Sequence, residues 1–148
     1  MWQPWASLVV NINPKTGEAF KSIETRGQRT WKFDETILIY ACKRWTPEQV
    51  LLCKSLYFEE AIDTFSNFCD MPRGVIIGAV DIVDCIPVEM ITNMDAHEKA
   101  FGDYSPSRFG WILENPRLFE IPLPFSASQG WNKYTCPPDW IKNNINKQ

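Results

Sequence analysis

The residues best suited to chemistry lie in one short stretch, KSIETR at positions 21–26. A lysine, a carboxylate and an arginine this close together can hold an anion or a carbonyl group, and a lysine that gives up its charge can act as a general base. In a strand, Glu24 and Arg26 share a face and Lys21 points the other way, so a bend near Ser22 is needed to bring all three together. Without the bend, the stretch is a surface strand with an ion pair of little energetic weight.

The elements before and after this stretch are predicted from turn residues and apolar patterns. Pro4 can open a helix with apolar residues on one face, although the β-branched run 9–12 suits a strand equally well. Residues 13–17 form a turn, and 20–31 are predicted as a strand with an exposed edge. The apolar run 36–42 is typical of a central strand buried on both faces.

The clearest helix prediction covers Pro47 to Phe65. Thr46 suits the N-cap and Pro47 the first helical position, and apolar residues then recur at helical spacing. A second strand is expected at 74–83, a polar loop at 102–108, a strand at 109–114 that Asn115-Pro116 stops, and a short edge strand at 118–124. Several short strands with one strong helix predict an α+β fold, a small and partly closed β-barrel.

Length and charge limit the function. The 148 residues fit a single domain, 1–148, and the net charge of −3 argues against a protein that coats DNA. Five basic residues lie between positions 15 and 32, and six acidic residues lie between 81 and 103. A local basic patch on an acidic protein suits a small or single-stranded anionic ligand, although two solvated surfaces of opposite sign would give the same pattern.

Several chemistries have no signature in this chain. His97 is the only histidine, and the five cysteines (Cys42, Cys53, Cys69, Cys85 and Cys136) include no C-x-x-C pair. We therefore expect no metal, no nucleotide cofactor, and reduced thiols of a cytoplasmic protein. Neither a signal peptide nor an apolar run of membrane-spanning length is apparent, so no membrane partner is expected.

The order of the motifs carries a resemblance. The series begins with PWASLV at 4–9, KSIETR at 21–26 and YACK at 40–43, and continues with GVIIGAV at 74–80 and Asp84-Cys85. It closes with FGDYSPSRFGW at 101–111, Asn115-Pro116-Arg117 and Gln129-Gly130-Trp131. This series, which covers nearly the whole chain, resembles the activating signal cointegrator homology (ASCH) domain of the PUA-like superfamily.

The resemblance implies a PUA-like β-barrel with flanking helices, a helix at Pro4 to Val9, and a cleft lined by Lys21, Glu24 and Arg26. Family members are associated with binding RNA or single-stranded DNA. An enzymatic branch removes acyl groups from modified cytidine with a lysine, a threonine three residues later and a distant acid. This chain has Glu24 where that threonine would stand.

Three hypotheses follow. In the first, the protein binds single-stranded nucleic acid, RNA above all, or a modified nucleoside: Lys21 and Arg26 hold phosphate or a carbonyl, and Glu24 accepts a base amino proton or fixes Arg26. Tyr104 and Trp111 would stack a base and Arg108 would line the site, whereas Trp5 and Trp131 are assigned to the core. In the second, Lys21 activates water with Glu24 or Asp84 as the acid, giving a metal-independent nucleoside amide hydrolase or ribonuclease. In the third, helix 47–65 docks a protein partner and the cleft is a relic.

Overall fold

The computed structural model describes residues 1–132. Its elements are α1 (Trp5–Val10), β1 (Ile23–Arg26), β2 (Glu35–Ala41), α2 (Pro47–Cys53), α3 (Leu56–Phe65), β3 (Val75–Pro87), a 3₁₀ turn (Val88–Met90), α4 (Ala96–Phe101) and β4 (Phe109–Pro124). Cys136 and the end of the predicted domain 1–148 lie outside the described residues. The ambiguity at the N-terminus resolves to the helix.

The four strands form one antiparallel sheet in the order β1-β4-β3-β2. β3 and β4 pair along most of their length, whereas β1 pairs only with the first four residues of β4, from Ile23 opposite Ile112 to Arg26 opposite Phe109. The α+β class is therefore confirmed. The sheet is not closed, so a barrel is not confirmed, and a partly closed barrel stays a prediction.

The core lies on both faces of the sheet. Ala6, Val9 and Val10 of α1 pack against apolar side chains of β2, β3 and β4. A second cluster joins Leu8 of α1 to Phe58 of α3 and to α4, and a third packs on β3 and the outer half of β4. α1 therefore carries a fully buried face and fixes the chain that leads to β1, since the backbone N–H of Lys21 donates to the carbonyl of Leu8 at 3.1 Å.

Several predicted elements need correction. The strand predicted at 20–31 forms only over 23–26, and the strand predicted at 36–42 as central and buried on both faces is β2, an edge strand whose first residues are exposed. The helix predicted at 47–65 is two helices, because Ser55 adopts an extended backbone and its hydroxyl donates to the carbonyl of Leu52 at 2.6 Å. Its start is confirmed, with a capping box between Thr46 and Gln49.

The strands predicted at 109–114 and 118–124 are one strand, β4. Asn115 takes a left-handed backbone, φ 51°, which asparagine tolerates better than most residues, and the chain resumes the sheet after it. β1 covers only the first part of β4, so the edge position predicted for 118–124 is confirmed: this half pairs with β3 alone among the described strands.

Candidate functional site

Charged side chains form hydrogen bonds with the backbone N–H and carbonyl groups on the outer edge of β1. The N–H of Ile23 donates to Glu98 Oε1 at 3.1 Å, and its carbonyl accepts from the ammonium of Lys21. The carbonyl of Thr25 accepts from the guanidinium of Arg108 at 3.3 Å. Because an edge strand otherwise leaves these groups unpaired, Lys21, Glu98 and Arg108 take the place of a neighbouring strand.

Glu98 comes from the first turn of α4, where its N–H donates to the capping carboxylate of Asp95 at 2.7 Å. Besides Ile23, its carboxylate accepts from the N–H and the hydroxyl of Ser22 at 2.8 and 3.1 Å. Burial raises the pKa of Glu98, against the opposing effects of Lys21 and of these hydrogen bonds. The sequence showed Glu98 only as one acid in an acidic stretch, since a contact across 75 residues has no local signal.

Lys21, Glu24 and Arg26 come together in the structure, with Glu24 between the two cations. The Lys21 side chain is only 1% exposed, and its Nζ lies 3.5 Å from Glu24 Oε2. Burial lowers the pKa of Lys21, outweighing the opposing effect of Glu24 and Glu98, while Arg26 lowers the same pKa. The amine therefore loses its proton more readily than an ordinary lysine does.

Glu24 links this buried charge to the surface. Its side chain is 12% exposed, and Oε1 accepts from Arg26 at 2.8 Å. Arg26 is 46% exposed, and its guanidinium carbon lies 5.9 Å from the ring centre of Trp111, the residue paired with Glu24 across the sheet. Of the three motif residues, Arg26 is thus the one that a ligand in solution can reach.

Tyr104 lies near the carboxylates that act on Lys21, whereas Asp84 lies apart from them on β3. The Tyr104 ring lies against Gly102, and its buried hydroxyl has no hydrogen-bond partner within residues 1–132. Burial, helped by the nearby carboxylates, raises the pKa of this hydroxyl. Asp84 is exposed on β3 and accepts from the N–H of Cys85 at 2.7 Å. The carboxylates whose charges act on Lys21 are Glu24 and Glu98, so the structure brings Glu98 to the lysine and leaves Asp84 on the sheet.

The loop after β1 places both of its cations over aromatic rings. Arg29 lies 5.2 Å from the ring centre of Trp31 and 5.4 Å from that of Phe109, and Lys32 lies 5.0 Å from that of Trp131. Together with Arg26 over Trp111 they form a surface that we call the cation–aromatic surface, made of Arg26, Arg29, Lys32, Trp31, Phe109, Trp111 and Trp131. The sequence indicated the basic stretch but not its aromatic partners, three of which lie more than 70 residues away.

Two tryptophans stack within this surface. Trp111 is buried, and its indole N–H donates to the carbonyl of Gln28 at 3.1 Å. Trp131 lies parallel to it, with ring centroids 5.7 Å apart and an interplanar angle of 3°. The assignment of Trp131 to the core is wrong, since this residue is 50% exposed, whereas Trp5 packs beside the apolar cluster of α1, α3 and α4.

An apolar groove lies at α2, on the helical part of the fold. It has a volume of about 560 Å³ and is lined by Trp45, Thr46, Pro47, Val50 and Leu51. Leu51 is 70% exposed, so the region predicted to dock a protein partner is not fully buried.

Residues 1–132 hold neither a cluster of metal ligands nor a membrane-spanning helix. There, no three His, Cys, Asp or Glu side chains gather closely enough to hold a metal ion. Cys42, Cys53, Cys69 and Cys85 are free thiols. No helix in this part of the chain combines the length and apolar character that a membrane crossing needs.

Comparison with known proteins gives one distant likeness. The chain is 27% identical over 133 residues to activating signal cointegrator 1 of Mus musculus. The match covers 86% of this chain and 20% of that protein, so the chain spans about a fifth of the length of its relative. No family model matches the chain. The relative bears the name from which the ASCH domain takes its own, in keeping with the resemblance of the motif series, and membership of the ASCH family stays a prediction.

Proposed function

We propose that this protein is a small ASCH-like domain that binds single-stranded nucleic acid, with RNA as its ligand, at the cation–aromatic surface. The observation that carries the proposal is the placement of Arg26, Arg29 and Lys32 over aromatic rings on one face of the fold. Positive groups for phosphates and flat rings for bases, interleaved on one surface, are what a single strand requires. The distant likeness to a cointegrator is compatible with this function.

The charges in the loop favour a short ligand. Residues 26–33, RGQRTWKF, contain three cations and no acid, whereas the whole chain has a net charge of −3. Trp31 is 73% exposed, so a base can reach its ring. Arg26 binds a phosphate or a base carbonyl in this proposal, and Lys21 acts indirectly, by holding the Glu24 carboxylate that orients Arg26. A modified nucleoside would bind at the same place, with Arg26 as its polar contact.

Fluorescence anisotropy with labelled ten-nucleotide RNA and DNA strands tests the proposal. Three phosphate contacts predict a slope of about −2 for log K against log salt, so binding should weaken about 20-fold between 50 and 200 mM salt. Arg26→Ala should remove most of the binding and make that slope shallower. Arg73→Ala is the matched control, because Arg73 also lies over a tryptophan, 5.6 Å from the ring centre of Trp45, but beside the groove at α2.

Absence of salt-dependent binding to every single strand tested would refute the proposal. Equal losses from Arg26→Ala and Arg73→Ala would show a diffuse charge effect rather than a site. Competition with duplex RNA of the same length separates stacking on unpaired bases from attraction to the backbone. We expect the single strand to bind more tightly than the duplex.

A second candidate function is hydrolysis of an acylated nucleoside with Lys21 as the general base. The observation that favours it is a buried lysine of lowered pKa beside Glu24 and Glu98, with the unpartnered hydroxyl of Tyr104 in the same cluster. The neutral amine of Lys21 takes a proton from water and the resulting hydroxide attacks the acyl carbon. The C–N bond then breaks as the leaving nitrogen takes that proton back from the Lys21 ammonium, which leaves the amine neutral again. Access to Lys21 requires the contact between its ammonium and the carbonyl of Ile23 to open.

Release of acetate from N-acylated cytidine, followed by chromatography, tests this second function. Wild-type turnover that Lys21→Met removes and Lys99→Met leaves intact would establish it, provided that circular dichroism shows both variants folded. Inert wild-type protein combined with hydrolysis by Glu24→Thr would identify the native site as a binder. Asp84→Asn tests the other acid proposed for the site and should leave turnover unchanged, because among residues 1–132 the carboxylates that act on Lys21 are Glu24 and Glu98.

A third candidate is docking of a protein partner on residues 47–65, favoured by the groove at α2 and by the exposure of Leu51 and Leu56. Affinity purification after nuclease treatment, with Leu51→Asp as the paired variant, tests it. A stoichiometric partner that Leu51→Asp loses would support docking, and identical profiles for the two proteins would remove it.

A further inference from the structure

We propose that Trp131 is an internal substitute for a nucleobase: it occupies the stacking slot on Trp111, and one base of the ligand displaces it when the strand binds. The proposal rests on the proposed function of the cation–aromatic surface. It adds that this surface contains one covered subsite, specific for a planar ring, besides its open part.

The geometry around Trp131 is that of a stacked base. Its ring is parallel to that of Trp111 within 3°, with centroids 5.7 Å apart, and the ammonium of Lys32 lies 5.0 Å from its centre. An offset parallel stack on an aromatic platform with a cation nearby is also how a single-stranded base is held. A base in this position would gain the same two contacts.

Trp111, on which the stack is built, and Trp131, which covers it, are held in different ways. Trp111 lies in β4 between Glu24 of β1 and Cys85 of β3, and its indole N–H is bonded to the carbonyl of Gln28. The sheet therefore fixes the backbone of Trp111, and burial and the bond to Gln28 fix its ring. Trp131 lies beyond the last strand, and half of its surface is exposed.

The loop that carries Trp131 is closed on itself. The Asn132 side chain accepts from the N–H of Ser128 at 3.0 Å and donates to the carbonyls of Ser128 and Gly130 at 2.8 and 3.1 Å. Gly130 has a φ of 89°, which a glycine adopts without strain. Since these hydrogen bonds join members of the loop, residues 128–132 can leave Trp111 as one unit without breaking the sheet.

Removal of the cover tests the proposal. Trp131→Ala should bind a ten-nucleotide RNA about two- to tenfold more tightly than wild type, because the ligand no longer competes with an indole for the slot. Trp31→Ala is the control: its ring is exposed and lies beside Arg29, so its loss should weaken binding. Weaker or unchanged binding by Trp131→Ala would overturn the proposal and make Trp131 part of the open surface or a bystander.

Fluorine NMR of protein carrying 5-fluorotryptophan gives a second readout, with the Trp131 signal assigned from Trp131→Phe. RNA should move this signal away from the position set by the ring of Trp111 and towards that of an unstacked tryptophan. RNA binding with an unmoved Trp131 signal overturns this inference alone. No RNA binding by wild type or by Trp131→Ala overturns the proposed function, and the inference with it.

Discussion

Replacement of Glu98 by alanine should destabilise the protein strongly, because one side chain serves several buried groups. The variant leaves the backbone N–H groups of Ser22 and Ile23 without their acceptor, and such orphaned donors cost about 1–3 kcal/mol each. It also removes one of the two carboxylates whose charges favour the ammonium form of Lys21, which keeps Glu24 at 3.5 Å as its ion-pair partner. These effects overlap, so we expect the free energy of unfolding to fall by about 3–5 kcal/mol.

Urea denaturation at pH 7, followed by tryptophan fluorescence and far-UV circular dichroism, measures this loss. Lys99→Ala, an exposed substitution on the same helix, is the control and should stay within about 0.5 kcal/mol of wild type. In a Lys21→Met background the effect of Glu98→Ala should shrink, with a coupling energy of about 1–3 kcal/mol. A loss below about 1 kcal/mol would refute the assignment of Glu98 to the edge of β1, and zero coupling would refute the interaction with Lys21.

Three further predictions concern packing, thiol reactivity and pH. Gly78→Ala should cost about 1–3 kcal/mol because the new methyl group would collide with a backbone oxygen of β4, whereas Gly27→Ala, with nothing within 4 Å, should be neutral in the same urea assay. Iodoacetamide at pH 8, followed by peptide mass spectrometry, should label the exposed Cys69 well before Cys53, since burial raises the pKa of the Cys53 thiol to about 11; equal rates would contradict that environment. Lys21 has a lowered pKa in the folded protein, so the folded protein binds this proton less tightly than the unfolded chain does. The free energy of unfolding of wild type should therefore rise, relative to that of Lys21→Met, as the pH rises towards 10.5. If this difference falls instead, the pKa shift has the opposite sign.

Local signals predicted the elements whose determinants are local. The N-terminus of α2 follows from Thr46, Pro47 and Gln49, which supply the cap, the first helical position and the reciprocal hydrogen bond within four residues. The break at Ser55 was missed because the apolar spacing continues through it, although serine is a common N-cap residue. β2 was predicted as central because apolar content reports burial, whereas among residues 1–132 it pairs with β3 alone.

The candidate site was predictable only within its continuous segment. The spacing of Lys21, Glu24 and Arg26 indicated the cluster, and the structure brings these side chains together. Glu98 and Trp131 reach the same region from distant parts of the chain, and no pattern around them specifies that contact. Long-range partners of this kind follow from strand order, which a single sequence without repeats or hairpin signals leaves open.

The pairing of β1 with β4 has a consequence for synthesis of the protein. Ile23 leaves the ribosome well before its sheet partner Ile112, since the segment that carries β2, β3 and the helices between them is made first. At about 5–20 residues per second, the KSIETR segment waits on the order of several seconds to tens of seconds without a neighbouring strand. The emerging segment therefore carries its cationic loop before it has the aromatic platform of Trp111, and a nascent chain arrested before β4 is made lacks the part of the proposed binding surface that β4 supplies.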